Sequence, residues 1–369
     1  MTVRFLTSGE SHGKCLNAII EGIGAGYELD FDFINNELAN RQKGYGRGGR
    51  MKIETDKIEI KSGVRFGKTT GSPICVEIKN KDFENWIIPM SIDKIDIDAL
   101  PEDKKTEVLD KINEKKISNL RPGHADYAGA IKFDTDDIRN ILERSSARET
   151  ATRVAVGAIC QNVLSKFGIV GSCEVLSIGG ESDSSKFVDV IENAKKEGVS
   201  LGGVIKVKFT GLPVGLGSFT HWDRRLDGQI AGAIMSIPAV KSVEVGLGKK
   251  CAELTGDMVH DEIFYENNKI SRHTNNAGGI EGGMTNGEDI VITLSMKPIP
   301  TMRKALSSID INTKSKVEAH FERADTCAVE ACATVALNMS AFVILNAFFE
   351  KFGGDSYLET LRNYEGRKK

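Results

Sequence analysis

Histidine is scarce here, with six in 369 residues, and two of the six lie in turn-like, glycine-containing motifs. His12 stands in "GESHG" and His124 in "RPGHAD", settings that suit an imidazole to acid-base work at neutral pH. Residues 9–13 also fit G-x-S-x-G, the nucleophile elbow of many serine hydrolases, with Ser11 as the nucleophile. An elbow needs a strand before it, a helix after it, and an oxyanion hole that borrows an N–H from an earlier strand-to-helix loop. Only "TVRFLT" precedes this motif, so no upstream loop can complete the hole. Ser11 therefore reads as a hydrogen-bonding neighbour of His12. No H-E-x-x-H or similar spacing argues for a metal centre.

Arginines gather around these histidines. Arg41, Arg47 and Arg50 lie in "NRQKGYGRGGRMKIE", Arg121 in "RPGHAD", Arg144 and Arg148 in "ERSSARE", and Arg323 in "ERAD". Glycines 44, 46, 48 and 49 allow the first of these loops to wrap closely round a ligand. Each guanidinium is a rigid fork for carboxylate or phosphate. Any one such arginine could be a solvated surface group, but together they describe a seat for a small ligand with several negative charges.

The elements that position these groups show in the periodicity. "GKTTGSPICVEIKN" at 67–80 lies on "GMTNGEDIVITLSM" at 283–296, and both alternate apolar residues after G-x-T-x-G, which predicts a strand in each. "ERSSARETATRVAVGAI" from 143 lies on "ERADTCAVEACATVALN" from 322, each Glu-Arg followed by an Ala/Val-rich helical stretch. Ser146 and Glu149 form S-x-x-E, a capping box with Ser146 as N-cap, and Asp325 stands at the equivalent place. Both helix starts would then offer free N–H groups to an anion. Two correspondences in the same order predict a pseudo-symmetric molecule whose halves share one core. Between its two motifs the first half also carries "SIDKIDIDALPEDKKTEVLDKINEKK", an exposed polar excursion with a short helix.

Composition narrows the classes further. A net charge of −3 gives no reason to expect nucleic acid, and "GYGRGGR" occurs once rather than as an RGG repeat. Seven cysteines form no C-x-x-C pair and leave an odd count, which favours reduced thiols in the cytoplasm. Arg4, Glu10 and Lys14 interrupt any signal peptide. Residues 331–349 are uncharged and long enough to span a membrane, but Asn338, Ser340 and Asn346 point to a buried soluble helix instead.

The ordered set of motifs resembles the chorismate synthase family. It comprises "GESHG", "RQKGYGRGGRM", "SGVRFGKTTGSP", "RPGHAD", "LERSSARETATRVAVGA", "GLPVGLGSFTHWDRRLD", "RHTNNAGGIEGGMTNG", "MKPIPT" and "ERAD", nearly end to end. The resemblance implies an anti 1,4-elimination of phosphate from 5-enolpyruvylshikimate-3-phosphate, requiring reduced FMN (FMNH2) without net redox change. It implies an α+β fold, a β-α-β sandwich with core helices between antiparallel sheets and an internal pseudo-two-fold repeat, forming a single domain usually assembled as a homotetramer. Arg41, Arg47, Arg50, Arg121, Arg148 and Arg323 would line the substrate side. Arg144, Ser145, Ser146, Ala239, Gly282, Lys297, Pro298, Ile299, Pro300, Thr301 and Arg323 would lie on the flavin side. His12, oriented by Ser11, would be the acid for the departing phosphate, and His124 would sit near the flavin pyrimidine. Asp325, with Ser146, would serve flavin N5.

Two departures from the family pattern carry expectations of their own. Thr326 follows Asp325 where relatives often have proline, which predicts only a local change at the helix start. Pro238 stands where some relatives have asparagine, so any contact there must come from a carbonyl or from Ala239. With no segment resembling a flavin reductase, the chain reads as the monofunctional type, supplied with reduced FMN by an external flavin reductase.

Overall fold

The computed structural model describes residues 2–49, 54–322 and 325–366. Two four-stranded antiparallel sheets flank a pair of helices. The first contains β1 (Arg4–Ser8), β2 (Cys15–Glu21), β3 (Glu59–Ser62) and β4 (Ile74–Lys79), in the order β1-β2-β4-β3. The second contains β5 (Val170–Ile178), β6 (Gly203–Thr210), β7 (Val240–Val245) and β8 (Ile290–Met296), in the order β7-β8-β6-β5. The helices that bear on the site are α1 (Phe31–Gln42), α2 (Glu102–Lys115), α3 (Asp126–Phe133), α4 (Arg139–Ser145), α5 (Thr150–Ser165) and α6 (Val329–Phe352).

The predicted strands form where the alternation placed them. Ile74, Val76 and Ile78 of β4 point inward opposite Leu16, Ala18 and Ile20 of β2, while Glu77 and Lys79 face out into ion pairs with Lys61 and Glu59. In β8, Ile290, Ile292 and Leu294 are buried against Phe209, Val207 and Ile205 of β6. Each such side chain removed from water contributes about 1.5–3 kcal/mol before chain entropy is counted. Helix α5 packs on β2 and β4, α6 packs on β5 and β6, and the two helices pack on each other, giving the sheet–helix–sheet layering of an α+β sandwich.

The two internal correspondences coincide with equivalent elements. Ile74 and Ile290, aligned in sequence, open β4 and β8, and Thr150 and Val329 open α5 and α6. The helices cross closely at Gly157, where a Cβ would stand 2.5 Å from the carbonyl carbon of Asn338. Helix α6 is long and apolar enough to cross a membrane, yet 89% of its apolar window is buried inside the protein. Its polar residues are satisfied internally: Asn338 donates to Glu37 Oε2 at 2.8 Å, Ser340 to the Ala336 carbonyl at 2.8 Å, and Asn346 Oδ1 accepts from Val3 N at 2.9 Å.

The polar excursion contains α2, all of it exposed to some degree. The "GESHG" segment leads into β2 rather than into a helix, so the elbow topology is absent.

Candidate active site

The "GESHG" loop joins β1 to β2 and folds against α4. Its first turn requires glycine: Gly9 adopts φ +103°, and a Cβ there would lie 2.9 Å from Leu16 Cα. Arg144 donates to the carbonyls of Thr7 at 3.0 Å and Gly9 at 3.2 Å, and Asn80 Nδ2 donates to those of Glu10 at 3.1 Å and Gly13 at 2.7 Å. Glu143 closes the cage, accepting from the Ser11 N–H through its carbonyl at 3.0 Å and from the His12 N–H through Oε2 at 2.7 Å.

The orienter of His12 is a correction to the sequence reading. Nδ1 of the imidazole lies 2.8 Å from Glu143 Oε1, and the ring stacks on Trp86 with centroids 3.9 Å apart. Ser11, expected to orient the ring, instead donates its hydroxyl to Ser146 Oγ at 3.1 Å. Ser146 does cap a turn, accepting from the Arg148 N–H at 3.3 Å, but that turn is the single 3-10 turn Ala147–Glu149 ahead of α5. The capping box does not close: the Glu149 carboxylate accepts from Arg153 at 3.0 Å and Thr7 at 2.9 Å. Ser145 Oγ turns back to the Ile141 carbonyl at 2.7 Å.

Beside this loop stands the arginine cluster. Asp56 accepts from Arg148 Nη1 at 2.7 Å through both oxygens and from Arg41 Nη2 at 3.1 Å. Arg148 Nε donates to Asn80 Oδ1 at 2.9 Å, so Asn80 ties the cluster to the histidine loop. Burial, the largest influence, pushes the Arg41 guanidinium down to about 10 against the opposing pull of Asp56, with Arg148 and Arg47 acting in the same direction as burial. Arg41 Nε and Arg148 Nη2 are buried without a hydrogen-bond partner among the described residues. A ligand oxygen would satisfy them, since orphaned buried donors are costly.

Asp325 is not a helix cap, because α6 begins four residues later, after Ala328. Its carboxylate instead accepts from the Gly48 N–H at 2.5 Å and pairs with Arg47 Nε at 3.0 Å. Thr326 donates its N–H to the Gly46 carbonyl at 2.8 Å, a bond that proline could not make. The departure from the family pattern therefore pins the glycine loop instead of altering the helix start. A cleft of about 720 Å³ opens here, lined by residues 44–49 together with Thr301, Arg303 and Asp325. Arg50 and Arg323 lie outside the described residues.

"RPGHAD" builds a third group. Arg121 grips Asp126 with Nε and Nη2, each at 2.8 Å, and His124 Nδ1 lies 2.5 Å from the same carboxylate. Burial acts to raise the Asp126 carboxyl, but the hydrogen bonds from Arg121 and His124 prevail and hold it well below the usual carboxylate range. Lys297 donates to the Gly123 carbonyl at 2.6 Å, so this loop touches the segment Lys297–Thr301. Burial, with Lys241 nearby, lowers the Lys297 ammonium.

Ala239, at φ +71°, accepts from the Lys297 N–H through its carbonyl at 2.9 Å. Gly282 sits in the turn of the 280–285 hairpin at φ +57°, with no atom within 4 Å of its Cβ position. The Lys297 ammonium and the Thr301 hydroxyl lie on one segment and are donors that suit a phosphate-bearing cofactor.

Sequence reasoning missed Glu143, Asp56, Asn80, Trp86 and Arg139. Glu143 had a signal, lying within "ERSSARE" beside the arginines that were chosen, and Asn80 ended the strand repeat at 67–80.

Comparison with known proteins agrees with this geometry. Residues 3–349 match the family described as chorismate synthase. The chorismate synthase of Caldanaerobacter subterraneus subsp. tengcongensis is 51% identical over 364 residues, covering 98% of this chain and 97% of the relative. That of Geobacter metallireducens is 47% identical, covering 99% and 98%. A solved structure titled "Crystal Structure of Chorismate Synthase" superposes with a TM-score of 0.75 at 39% identity, covering 99% of this chain and 97% of that one. With arginine forks, two carboxylate-held imidazoles and a matching fold in place, the chain belongs to the chorismate synthase family, lyases of the shikimate pathway that act on a phosphate-bearing substrate.

Proposed function

We propose that this chain eliminates phosphate from 5-enolpyruvylshikimate-3-phosphate in the anti 1,4 sense to give chorismate, with reduced FMN bound. The observation that carries the reading is a pair of buried guanidinium nitrogens without a hydrogen bond, Arg41 Nε and Arg148 Nη2, in a cluster that Asn80 ties through Arg148 to the loop of a carboxylate-held His12.

Arg41, Arg47 and Arg148 bind the substrate's anionic groups, with Arg121 completing the wall. The resemblance would add Arg50 and Arg323, outside the described residues, to the same set. The flavin side comprises Arg144, Ser145, Ser146, Ala239, Gly282 and Lys297–Thr301. Reduced FMN supplies transient electron density to the allylic system. His12 holds the proton that passes to the leaving phosphate oxygen as the C–O bond breaks with its electron pair on oxygen. Asp325, with Ser146, would keep flavin N5 able to take the ring proton as the C–H bond breaks and its electron pair forms the new double bond, so the sum would involve no net redox change. His124, held by Asp126, stabilises negative charge on the flavin pyrimidine. A site closed to water would favour each of these interactions.

The resemblance and the family assignment also support a single domain of two interlocked copies, assembly as a homotetramer, and supply of reduced FMN by an external flavin reductase. Seven unpaired cysteines support a cytoplasmic location. The test is anaerobic: protein, substrate and FMN are mixed, and phosphate and chorismate are followed before and after photoreduction. Turnover only after photoreduction is expected. Turnover with oxidised FMN plus NADPH alone would overturn the external supply, and no turnover in either state, from folded protein that binds FMN, would overturn the activity.

A further inference from the structure

We propose that Glu143 is a positioning residue for the reaction, holding the Nδ1 edge of His12 so that Nε2 alone delivers the proton to the departing phosphate. This rests on the reading of His12 as the acid. Glu143 fixes the loop at three points: Oε1 takes Nδ1–H at 2.8 Å, Oε2 takes the His12 N–H at 2.7 Å, and its carbonyl takes the Ser11 N–H at 3.0 Å. Trp86 covers one face of the imidazole at 3.9 Å and 22°, which leaves the ring little freedom to flip. The Glu143 side chain is 2% exposed, so its charge is compensated by protein groups rather than water.

That compensation is shared. Arg139 Nη1 lies 3.4 Å from Glu143 Oε1 and 2.8 Å from Glu322 Oε1, and Glu322 lies 3.5 Å from His320 Nε2. Glu143 and Glu322 open the two similar segments "ERSSARE" and "ERADTCA", so equivalent carboxylates, each beside a histidine, meet on one guanidinium. Arg139 also lies over Trp86, with its guanidinium carbon 5.1 Å from the ring centroid.

The chemistry follows from the hydrogen bonds. An imidazole that donates Nδ1–H to a carboxylate presents Nε2 on the other edge, and the carboxylate balances the imidazolium before transfer. When the Nε2–H bond breaks, the proton joins the phosphate oxygen, and the ring is left neutral with Nδ1–H still in place. Glutamine at 143 cannot substitute. Two N–H groups need acceptors there, and an amide offers one acceptor and one donor whichever way it turns.

The test uses Glu143→Gln and His12→Asn in the full chain with reduced FMN, together with 15N spectra of the imidazoles, His12 being assigned by its absence in His12→Asn. Expected are a fall in kcat of about 10- to 100-fold for Glu143→Gln, substrate KM and FMN affinity within about twofold of wild type, and a protonated Nδ1 at His12 in the wild-type protein only. If His12→Asn turns over normally, the acid assignment itself fails. If His12→Asn is impaired while Glu143→Gln is normal, only the positioning role is overturned. Should Glu143→Gln not fold, the wild-type spectrum decides, and an unprotonated Nδ1 there overturns the proposal.

Discussion

Asp56→Asn probes whether the arginine cluster depends on its buried counter-ion. The Asp56 side chain is 0% exposed and meets Arg148 at 2.7 Å and Arg41 at 3.1 Å. Asparagine keeps the shape and one acceptor, but it removes the charge and points an NH2 at a guanidinium. Breaking a buried ion pair by removing one partner costs about 3–5 kcal/mol. Glu54, 3.7 Å from Arg148 Nη2, still offers some compensation, so the low end applies. With a urea slope of about 3 kcal/mol per molar, the unfolding midpoint should fall by about 1 M, followed by tryptophan fluorescence. A phosphate ion entering between the arginines would replace the lost charge, so inorganic phosphate should raise the variant's midpoint more than the wild type's. An unchanged midpoint would refute the counter-ion argument. Equal stabilisation of both proteins would refute the placement of the anion seat.

Gly157→Leu should destabilise by about 1–3 kcal/mol or more, because the added side chain meets the backbone of Asn338 and forces α5 and α6 apart; denaturant midpoints check this. Burial acts to raise the Glu322 carboxyl, but the hydrogen bond from His320 and the charge of Arg139 prevail and bring it from 4.5 to about 2. A depressed carboxylate stabilises the fold above its unfolded value, so this contribution should disappear as pH falls from about 4.5 towards 2. Glu322→Gln should flatten that part of a stability-against-pH curve. Arg47→Ala should chiefly raise substrate KM, by about 10-fold or more as a charged contact is lost, and should also free Asp325; an unchanged KM would remove Arg47 from the substrate side.

The strands and central helices were legible because their signals are local. Alternation at Ile74–Ile78 and Ile290–Leu294 and the apolar run of α6 depend on nearby residues alone. The arginines and histidines were legible as types, but their partners were not. Asp56 and Trp86 lie in stretches without a motif, Asn80 merely ends the strand repeat at 67–80, and only tertiary folding brings them to Arg148 and His12. The capping box had the right spacing yet failed, since Arg153, one turn along the helix, competes for Glu149. Asp325 was read as a helix start, but the helix begins only at Val329, and the carboxylate grips the glycine loop instead.

The hydrogen bond from Val3 N to Asn346 joins residues 343 positions apart, immediately before the strand that leads into the "GESHG" loop. During synthesis the first strand can be translated early but cannot take its final place until α6 has emerged, because a vectorially made chain must wait for its late partner. Contacts of such long sequence separation also make folding slow once the partner is present. The loop bearing His12 therefore belongs to the last stage of maturation, and a ribosome-stalled chain lacking α6 would display "GESHG" on an undocked hairpin, open to proteases and to chaperones.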